Sequence, residues 1–506
     1  MPDHRALLRQ TADLAADFLD GLESRPVAPR ATHDELLATM GGPLPERGEA
    51  PGEVVDHLAR LAEPGLIASA GPRFFGFVIG GSLPSALAAD WLTSAWDQNA
   101  GLYVIGPSAS VAEEVAAGWL VDLFGLPRGS SVGFSTGATM ASFTALAAGR
   151  HRVLERLGWH VEADGLGGAP EIAVVVGAEA HVTIHVSLQM LGLGRDRVHR
   201  VAADEGGRMR ADALRDTLRD LRDRPVIVCA QAGNVNTGAF DPLPEIVAAV
   251  RELPNAWLHV DGAFGLWAAV APGLRHLTDG LGDADSWTTD AHKWLNVPYD
   301  SGIAIVRDAD AHHQAMTLGA AYYVETDGAE RDPYNYVAES SRRARGFPIY
   351  AALRELGRDG LAEMVERCCG LARRMADGLR DAPGVTILND VVLNQVLVRF
   401  APPASEAGDG AAADGAAGDG AAGDGAADDG AAIDAFTRDV IAAVQADGTC
   451  WLGGTTWHGM AAMRISVSNW STTEEDADVS VAAIRRCAEA VGAVWRASAA
   501  TPTAAH

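Results

Sequence analysis

The stretch DAHKWLNVPYDSG, residues 290–302, places His292 and Lys293 side by side between two apolar runs that are typical of strands. A lysine at the mouth of a sheet is costly to remove from water, so it needs a chemical reason or a nearby solvent path. A solvated loop lysine is the usual explanation for any single lysine. The choice between the two depends on the other polar residues that follow strands.

A second motif, GFSTGATMASFTALAAGR at residues 133–150, leads from small residues directly into a helical pattern. Such a junction leaves the backbone N–H groups of Gly137, Ala138 and Thr139 free at the helix start, with serine and threonine hydroxyl groups beside them. This arrangement can bind a phosphate group. Taken alone the motif is weak evidence, because an ordinary helix cap has the same composition.

Two further candidates follow apolar runs. His181 comes just after IAVVV, where it is either a hydrogen-bonded loop residue or a catalytic group. Asp261 ends the run WLHVD, and a carboxylate at that place would be largely desolvated and would need a cationic partner. A buried aspartate that caps a neighbouring turn is the alternative.

Together these groups are the parts needed to hold pyridoxal 5′-phosphate. The lysine would carry the aldehyde as a Schiff base, the aspartate would pair with the pyridinium nitrogen, and the histidine would face the ring. The helix start would bind the phosphate. This combination is far more specific than any one of its members, and no metal site is predicted.

Length and composition indicate the class of protein in which these groups must be positioned. A chain of 506 residues exceeds the usual size of one domain, and an apolar content of 48% excludes global disorder. The net charge of −27 argues against nucleic acid as a partner. Without a long apolar run or a signal peptide, we expect a soluble cytoplasmic protein. The five scattered cysteines predict reduced thiols, not a disulfide framework.

Three segments are predicted along the chain. Residues 1–89 form a helical arm that packs on another subunit or on the main lobe. Residues 90–345 alternate helical patterns with short β-rich runs, which predicts a large α/β cofactor-binding domain: a mostly parallel central sheet with helices on both faces. Residues 346–506 form a smaller C-terminal α+β domain. Within it, a Gly/Ala/Asp-rich insertion at 405–432 is predicted to be a disordered surface loop.

The chain resembles the group II pyridoxal-phosphate-dependent amino acid decarboxylases, which share the aspartate aminotransferase fold, also called fold type I. Between about Pro72 and Thr473, several segments occur in the order typical of the family: PRFFGFVIGG, GPSASVAEEVAAGWLVDLFGLP, AEAH, WLHVDGAFG, DAHKW and RISVSNWSTTEED. The resemblance implies an L-amino acid decarboxylase that produces an amine and carbon dioxide, and that acts as a homodimer.

The resemblance also implies roles for individual residues. Lys293 matches the Schiff-base lysine, Asp261 the pyridinium partner and His181 the histidine stacked on the cofactor ring. Tyr322, in LGAAYYVE, matches the loop tyrosine that protonates the α-carbon, with Tyr323 as a rival. The other residues expected to contact the cofactor are Gly137, Ala138, Thr139, Asn234, Ala263 and His292.

Two positions depart from the family pattern. Threonines are frequent where this chain reads AGNVNTG; Asn234 could still donate a hydrogen bond there, but Val235 cannot. Asp290 stands three residues before the lysine, where an asparagine is frequent. A carboxylate near a phosphate would be unfavourable unless it points away.

An aromatic amino acid is the expected substrate. Aromatic residues fall in segments that line the side-chain pocket in relatives, partly across a dimer interface, although each could equally be a core residue. These residues are Phe74, Phe75, Trp96 and Tyr103. Arg464 is a candidate for binding the α-carboxylate. Arg73 could instead meet an acidic side chain, which keeps glutamate-like and aspartate-like substrates open.

Two other functions remain open from the sequence. The same scaffold also supports an aminotransferase or an aldehyde-forming oxidative decarboxylase, which a keto acid or aldehyde product would reveal. A catalytically silent dimeric scaffold acting through its acidic insertion is the alternative outside enzymes, and the intact Lys293 and Asp261 argue against it.

Overall fold

A computed structural model describes residues 3–317, 330–403 and 424–499 of the chain. The α-helices in these ranges are α1 His4–Asp20, α2 His33–Met40, α3 Pro51–Ala62, α4 Pro84–Trp96, α5 Pro107–Leu123, α6 Ala138–Glu155, α7 Val161–Asp164, α8 Val182–Met190, α9 Ala211–Arg219, α10 Leu243–Arg251, α11 Ala309–Met316, α12 Gly346–Arg380, α13 Asp424–Asp447 and α14 Glu474–Ala499. The strands are β1 Ser131–Ser135, β2 Ala173–Gly177, β3 Val198–Val201, β4 Val226–Gln231, β5 Ala256–Asp261, β6 Ser286–Asp290, β7 Gly302–Val306, β8 Val385–Ile387, β9 Gln395–Phe400, β10 Gly453–Trp457 and β11 Met460–Ser466.

The chain divides into two compact units. The large unit consists of Val78–Arg373 and Asn389–Val396. The small unit consists of the residues before Val78, Arg374–Leu388, and the residues from Leu397 onwards. These limits differ from the predicted segments 1–89, 90–345 and 346–506, and that three-part division stays a proposal.

The large unit is built on a seven-stranded sheet with the order β1-β7-β6-β5-β4-β2-β3. Neighbours from β3 to β6 are parallel, and β7 is antiparallel to both β6 and β1. The predicted mostly parallel sheet is confirmed. The strands expected from the apolar runs IAVVVG, PVIVCAQ, WLHVDG and GIAIVRD are β2, β4, β5 and β7. Their near-continuous apolar character fits strands that are buried on both faces.

Side-chain alternation along β5 determines which side chains face α6. Trp257 packs in a buried cluster with residues of α6, α8 and α11. Because side chains alternate along a strand, His259 and Asp261 lie on the same face as Trp257. Both α6 and α10 cover β4 and β5, so they lie on opposite faces of the sheet, as predicted. Asp261 therefore ends β5 on the face covered by α6.

The small unit contains a four-stranded sheet with the order β10-β11-β9-β8. Helices α13 and α14 pack against one another, and α13 packs on β11. The N-terminal segment joins this unit through backbone hydrogen bonds, for example from the Val27 N–H to the Gly448 carbonyl oxygen at 2.8 Å. Within the chain, these residues of the arm thus contact the C-terminal part. The last residues of the arm belong to the large unit, where the Leu83 N–H donates to the Asn296 carbonyl oxygen at 2.8 Å. The packing of the arm on another subunit or on the main lobe stays a prediction.

The Gly/Ala/Asp insertion needs a correction at its C-terminal end. Residues 405–423 lie outside the described residues, but 424–432 form the first turns of α13, so the prediction of disorder is wrong for them. Alanine favours helix, and the segment continues into residues that bury apolar side chains, including Phe436, Val440 and Val444. Packing farther along the helix thus stabilises turns that have little to bury themselves.

Three broader features concern membrane helices, metal ligands and cysteines. In the three described ranges, no helix is long and apolar enough to cross a membrane. No group of three or more histidine, cysteine or acidic residues in those ranges is arranged to hold a metal ion. All five cysteines are free and buried.

His259, in the middle of β5, gives a testable pH dependence. It is fully buried, and burial lowers its pKa from 6.5 to about 3. Below pH 6.5 the unfolded chain binds a proton here that the folded chain does not, so stability from this residue is lost as the pH falls. Between pH 7 and pH 5, we expect the free energy of unfolding to fall by about 2 kcal/mol less for His259→Phe than for the wild type.

Urea unfolding at the two pH values would measure this difference. The same substitution at the exposed His276 is the matched control. Parallel losses for His259→Phe and the wild type would show that His259 does not set the acid sensitivity.

Candidate active site

The predicted phosphate-binding motif lies at a strand-to-helix junction, as expected. Strand β1 ends at Ser135 and α6 begins at Ala138, with Gly137 as the N-cap residue. The start of β7 approaches this junction closely: a Cβ atom on Gly302 would lie 2.4 Å from the Gly137 Cα. The N-terminus of α6, with the positive end of the helix dipole, therefore faces the carboxyl end of β6.

Asp290 joins three of the predicted site residues. It ends β6 and is 2% exposed. The Ala138 N–H donates to Asp290 Oδ1 at 2.6 Å, and Lys293 Nζ lies 3.1 Å from Oδ2. His292 Nε2 is 3.6 Å from Oδ1. The carboxylate does not point away from the phosphate-binding motif but lies against it.

His292 is held in one tautomer by the backbone. The Ser301 N–H donates to His292 Nδ1 at 3.2 Å, so in the neutral ring the proton is on Nε2. Burial lowers the pKa of His292, which favours that neutral form. The ring also packs on Tyr299, with 4.4 Å between ring centroids. His292 can therefore donate one hydrogen bond, from Nε2, toward the start of α6.

Asp261 is the desolvated carboxylate that the sequence predicted. It ends β5 and is 5% exposed. Burial raises its pKa, and the charges of His181 and Lys293 oppose that rise. Among the described residues, its carboxylate receives a single hydrogen bond, from the Ala263 N–H to Oδ1 at 3.1 Å. A buried carboxylate with this much unused acceptor capacity fits a protonated ring nitrogen.

His181 lies beside Asp261 in the same cavity, which Gln231 also lines. It is the N-cap residue of α8. Its Nδ1 is 2.7 Å from Thr183 Oγ1 and accepts a longer hydrogen bond, at 3.4 Å, from the Thr183 N–H. These contacts restrain the orientation of the imidazole beside Asp261.

The arrangement fits pyridoxal phosphate. The start of α6 offers backbone donors for a phosphate, Asp261 offers a buried acceptor for a ring nitrogen, and Lys293 offers an amine. All belong to the large unit, at the carboxyl ends of neighbouring strands. The roles of Gly137, Ala138, Thr139, His181, Asp261, Ala263, His292 and Lys293 as cofactor contacts are proposals that this geometry supports.

Asn234 has local partners. Its side-chain oxygen accepts hydrogen bonds from the N–H groups of Asn236 and Thr237 at 2.8 and 3.2 Å, and its amide donates to the Glu179 carbonyl oxygen at 3.5 Å. The side chain therefore closes a turn after β4. Its predicted contact with the cofactor stays a prediction.

The remaining predicted residues are placed as follows. Tyr103 begins a short 3-10 helix in the large unit, and its N–H donates to Asp332 Oδ1 at 2.8 Å. Arg464 lies on β11 in the small unit. Tyr322 and its rival Tyr323 lie outside the described residues. The catalytic and substrate roles of these residues stay predictions.

The aromatic residues of PRFFGFVIGG differ in their environments. Phe74 is 3% exposed and stacks on Trp451, with ring centroids 5.0 Å apart and an angle of 7° between the ring planes. Phe77 contacts the same indole at 5.6 Å but is 64% exposed. Phe77 is a third aromatic residue of the motif, and the substrate role of Phe74 stays a prediction.

An overlooked signal is the lysine count. Of the 40 lysine and arginine residues, only Lys293 is a lysine. Arginine serves as a cation elsewhere in the chain, yet it cannot replace an amine that must lose its proton and form a covalent bond. The lysine at this one position therefore indicates a residue that reacts through its amine, and not merely a positive charge.

The fold has close counterparts among solved structures. The structure of Oryza sativa TDC with PLP and tryptamine matches with a TM-score of 0.85 at 22% identity, covering 96% of this chain and 98% of that one. The structure of mouse CSAD matches with a TM-score of 0.86 at 23% identity, covering 96% and 99%. These similarities establish the overall fold, including the smaller C-terminal sheet.

Sequence comparisons give the family. The chain is 26% identical over 404 residues to the aromatic-L-amino-acid decarboxylase of Bacillus atrophaeus, which covers 79% of this chain and 82% of the relative. It is 30% identical over 364 residues to the L-2,4-diaminobutyrate decarboxylase of Rhizobium meliloti (strain 1021), covering 71% of each. An acidic amino acid decarboxylase of Mus musculus is 28% identical over 363 residues, covering 70% of this chain and 65% of the relative.

Residues 35–401 match the family model described as the pyridoxal-dependent decarboxylase conserved domain. That match covers most of the chain and contains Lys293, Asp261 and His181. The chain therefore belongs to the pyridoxal-dependent decarboxylase family and is a pyridoxal-phosphate-dependent amino acid decarboxylase.

Proposed function

We propose that this enzyme decarboxylates an aromatic L-amino acid and releases the corresponding amine and carbon dioxide. The observation that carries the proposal is the single lysine of the chain, Lys293, at a strand end beside the buried Asp261 and His181. The choice of an aromatic substrate is supported by the similarity to aromatic-L-amino-acid decarboxylases.

Each residue has a distinct part in the reaction. Bound pyridoxal phosphate supplies a ring that accepts the electron pair released when a bond to the α-carbon breaks. The Asp261 carboxylate keeps the proton on the ring nitrogen, because a buried negative charge strongly favours a cationic neighbour. His181, fixed by Thr183, limits the tilt of the ring. The Lys293 amine would hold the cofactor through its aldehyde and would yield that place to the amine of the substrate.

Protonation completes the reaction. We propose Tyr322 for the delivery of a proton to the α-carbon, on the resemblance described above, and Arg464 for binding of the α-carboxylate. A phenol close to the α-carbon would favour amine formation, since it would protonate that carbon before oxygen could oxidise it or the proton could go to the cofactor instead.

Phe74 stays the residue that we propose for the contact with the substrate side chain, on the resemblance described above. Its ring is buried against Trp451, whereas Phe77 contacts the same indole and is exposed.

An acidic substrate has less support. Arg73, the residue that could meet an acidic side chain, donates to the Thr449 carbonyl oxygen at 2.8 Å and to the Glu23 carbonyl oxygen at 2.6 Å. It also lies 3.4 Å from Asp476. Since its guanidinium has these partners within the small unit, it is poorly placed to recognise a substrate carboxylate.

A second copy of the chain is the partner that we propose, as a homodimer in the cytoplasm. Large apolar side chains between residues 91 and 105 are exposed, which is unusual for a monomer. These are Trp91, Leu92, Trp96, Val104 and Ile105. Tyr103 lies within this same stretch, as expected of a substrate residue next to a dimer interface.

Product analysis tests the proposed function. Purified enzyme supplemented with pyridoxal phosphate is incubated with each common L-amino acid, and carbon dioxide and organic products are measured together. We expect equal amounts of amine and carbon dioxide from one or more aromatic amino acids. A keto acid or an aldehyde without amine would instead indicate the aminotransferase or the oxidative decarboxylase, and amine from glutamate or aspartate alone would overturn the aromatic assignment.

A further inference from the structure

Asp290 has no part in the chemistry proposed above, yet it occupies the phosphate end of the site. We propose that its carboxylate is an internal anion that competes with the phosphate of the cofactor for the N-terminus of α6. Asp290 would thereby set how tightly the enzyme retains pyridoxal phosphate. This inference rests on the proposed position of the phosphate at the start of α6.

The geometry of the helix start supports competition. Asp290 Oδ1 accepts the Ala138 N–H at 2.6 Å, a short distance that is typical of a charge-assisted hydrogen bond. A Cβ atom on Gly137 would lie 3.6 Å from the same oxygen and 3.4 Å from His292 Cε1. A carboxylate thus already uses the first donor of the helix, in the space next to Gly137 where a phosphate oxygen would bind.

Asp290 cannot easily leave this position. Its N–H donates to the Ala263 carbonyl oxygen at 2.8 Å, and its own carbonyl oxygen accepts from Trp267 Nε1 at 3.2 Å. The side chain is almost fully buried. Rotation of the carboxylate away from α6 would lose the Ala138 hydrogen bond and the ion pair with Lys293, so the negative charge stays near the incoming phosphate.

The charge balance makes the competition costly. The cations around Asp290 are Lys293, at 3.1 Å, and His292, at 3.6 Å, and burial keeps His292 largely neutral. Without the cofactor, the Lys293 ammonium group already balances the Asp290 carboxylate, and its charge also acts on Asp261. A phosphate adds further negative charge to a site where the helix dipole and Lys293 already stabilise the negative charge of Asp290.

Asparagine at this position would have the opposite effect. Its side-chain oxygen can accept the Ala138 N–H as Asp290 does, while its amide can donate to a phosphate oxygen. The two side chains have nearly the same shape, so Asp290→Asn replaces a repulsion by a hydrogen bond and leaves the packing unchanged. A comparison of the wild type with Asp290→Asn therefore tests the effect of the charge alone.

The experiment measures the equilibrium binding of two ligands, pyridoxal phosphate and pyridoxal without its phosphate, to cofactor-stripped full-length protein. Binding is followed by the absorption band that depends on Lys293. We expect Asp290→Asn to bind pyridoxal phosphate at least about 10-fold more tightly than the wild type, with little change for pyridoxal. Inorganic phosphate should also raise the melting temperature of stripped Asp290→Asn more than that of the stripped wild type.

Asp285→Asn is the matched control, because it removes the same charge just before the other end of β6, where Asp285 pairs with Arg251. Its affinities for both ligands should equal those of the wild type. Unchanged or weaker binding of pyridoxal phosphate by Asp290→Asn would overturn the inference. Equal tightening for both ligands would also overturn it, since Asp290 would then act through Lys293. Failure of the wild type to bind either ligand through Lys293 would instead refute the proposed cofactor site.

Discussion

Lys293→Ala should abolish covalent attachment of the cofactor and lower amine formation by at least about 1,000-fold. The expected effect is large because no other lysine exists in the chain to take over. Borohydride reduction followed by intact-mass measurement should add one cofactor to each wild-type chain and none to the variant. Peptide mapping should place the wild-type label on Lys293. This step is needed because the α-amino group at the N-terminus is another primary amine that could carry the label.

Lys293→Arg separates charge from chemistry. Arginine keeps a cation beside Asp290, so this variant should retain the wild-type fold and melting temperature more closely than Lys293→Ala. It should nevertheless be as inactive as the alanine variant, because a guanidinium remains protonated and does not react with the aldehyde. Amine formation by either variant at more than a few per cent of the wild-type rate would show that Lys293 is not the covalent site.

Local patterns were sufficient to predict much of the large unit. The runs that form β5 and β6 are followed by polar residues, and in a parallel sheet the carboxyl ends of such strands meet along one edge. Asp261 and Lys293 could therefore be placed at one site from sequence. The junction between β1 and α6 was recognisable for the same reason, since its small residues are adjacent in the chain.

Other features depend on contacts between distant parts of the chain. The hydrogen bond from Ala138 to Asp290 joins residues 152 positions apart, and no local pattern reports whether Asp290 points toward the helix or away from it. Phe74 and Phe77 stand three positions apart in one motif, but their different burial depends on Trp451 in the C-terminal part. Likewise, the helix at residues 424–432 exists because α13 packs farther along. Tertiary contact overrides local composition in each case.

Asp261→Asn should retain the cofactor but lower the rate of decarboxylation on the order of 100-fold or more. The amide can still accept the Ala263 N–H through its oxygen, so the turn after β5 should keep its structure. It carries no charge, however, and cannot hold a proton on the ring nitrogen. We expect the affinity for pyridoxal phosphate to change little, while the absorption band shifts because the ring loses its proton. Single-turnover kinetics would separate this chemical step from substrate binding.

A cofactor with a permanent charge provides the decisive control. Asp261→Ala leaves room at the ring nitrogen, so an analogue of pyridoxal phosphate that is methylated on that nitrogen should fit and restore part of the lost rate. The rescue follows because the methyl group fixes the positive charge that the Asp261 carboxylate otherwise stabilises. If the analogue restores nothing while it still binds through Lys293, Asp261 contributes through the structure of the β5 turn, and the electrostatic role assigned to it is wrong.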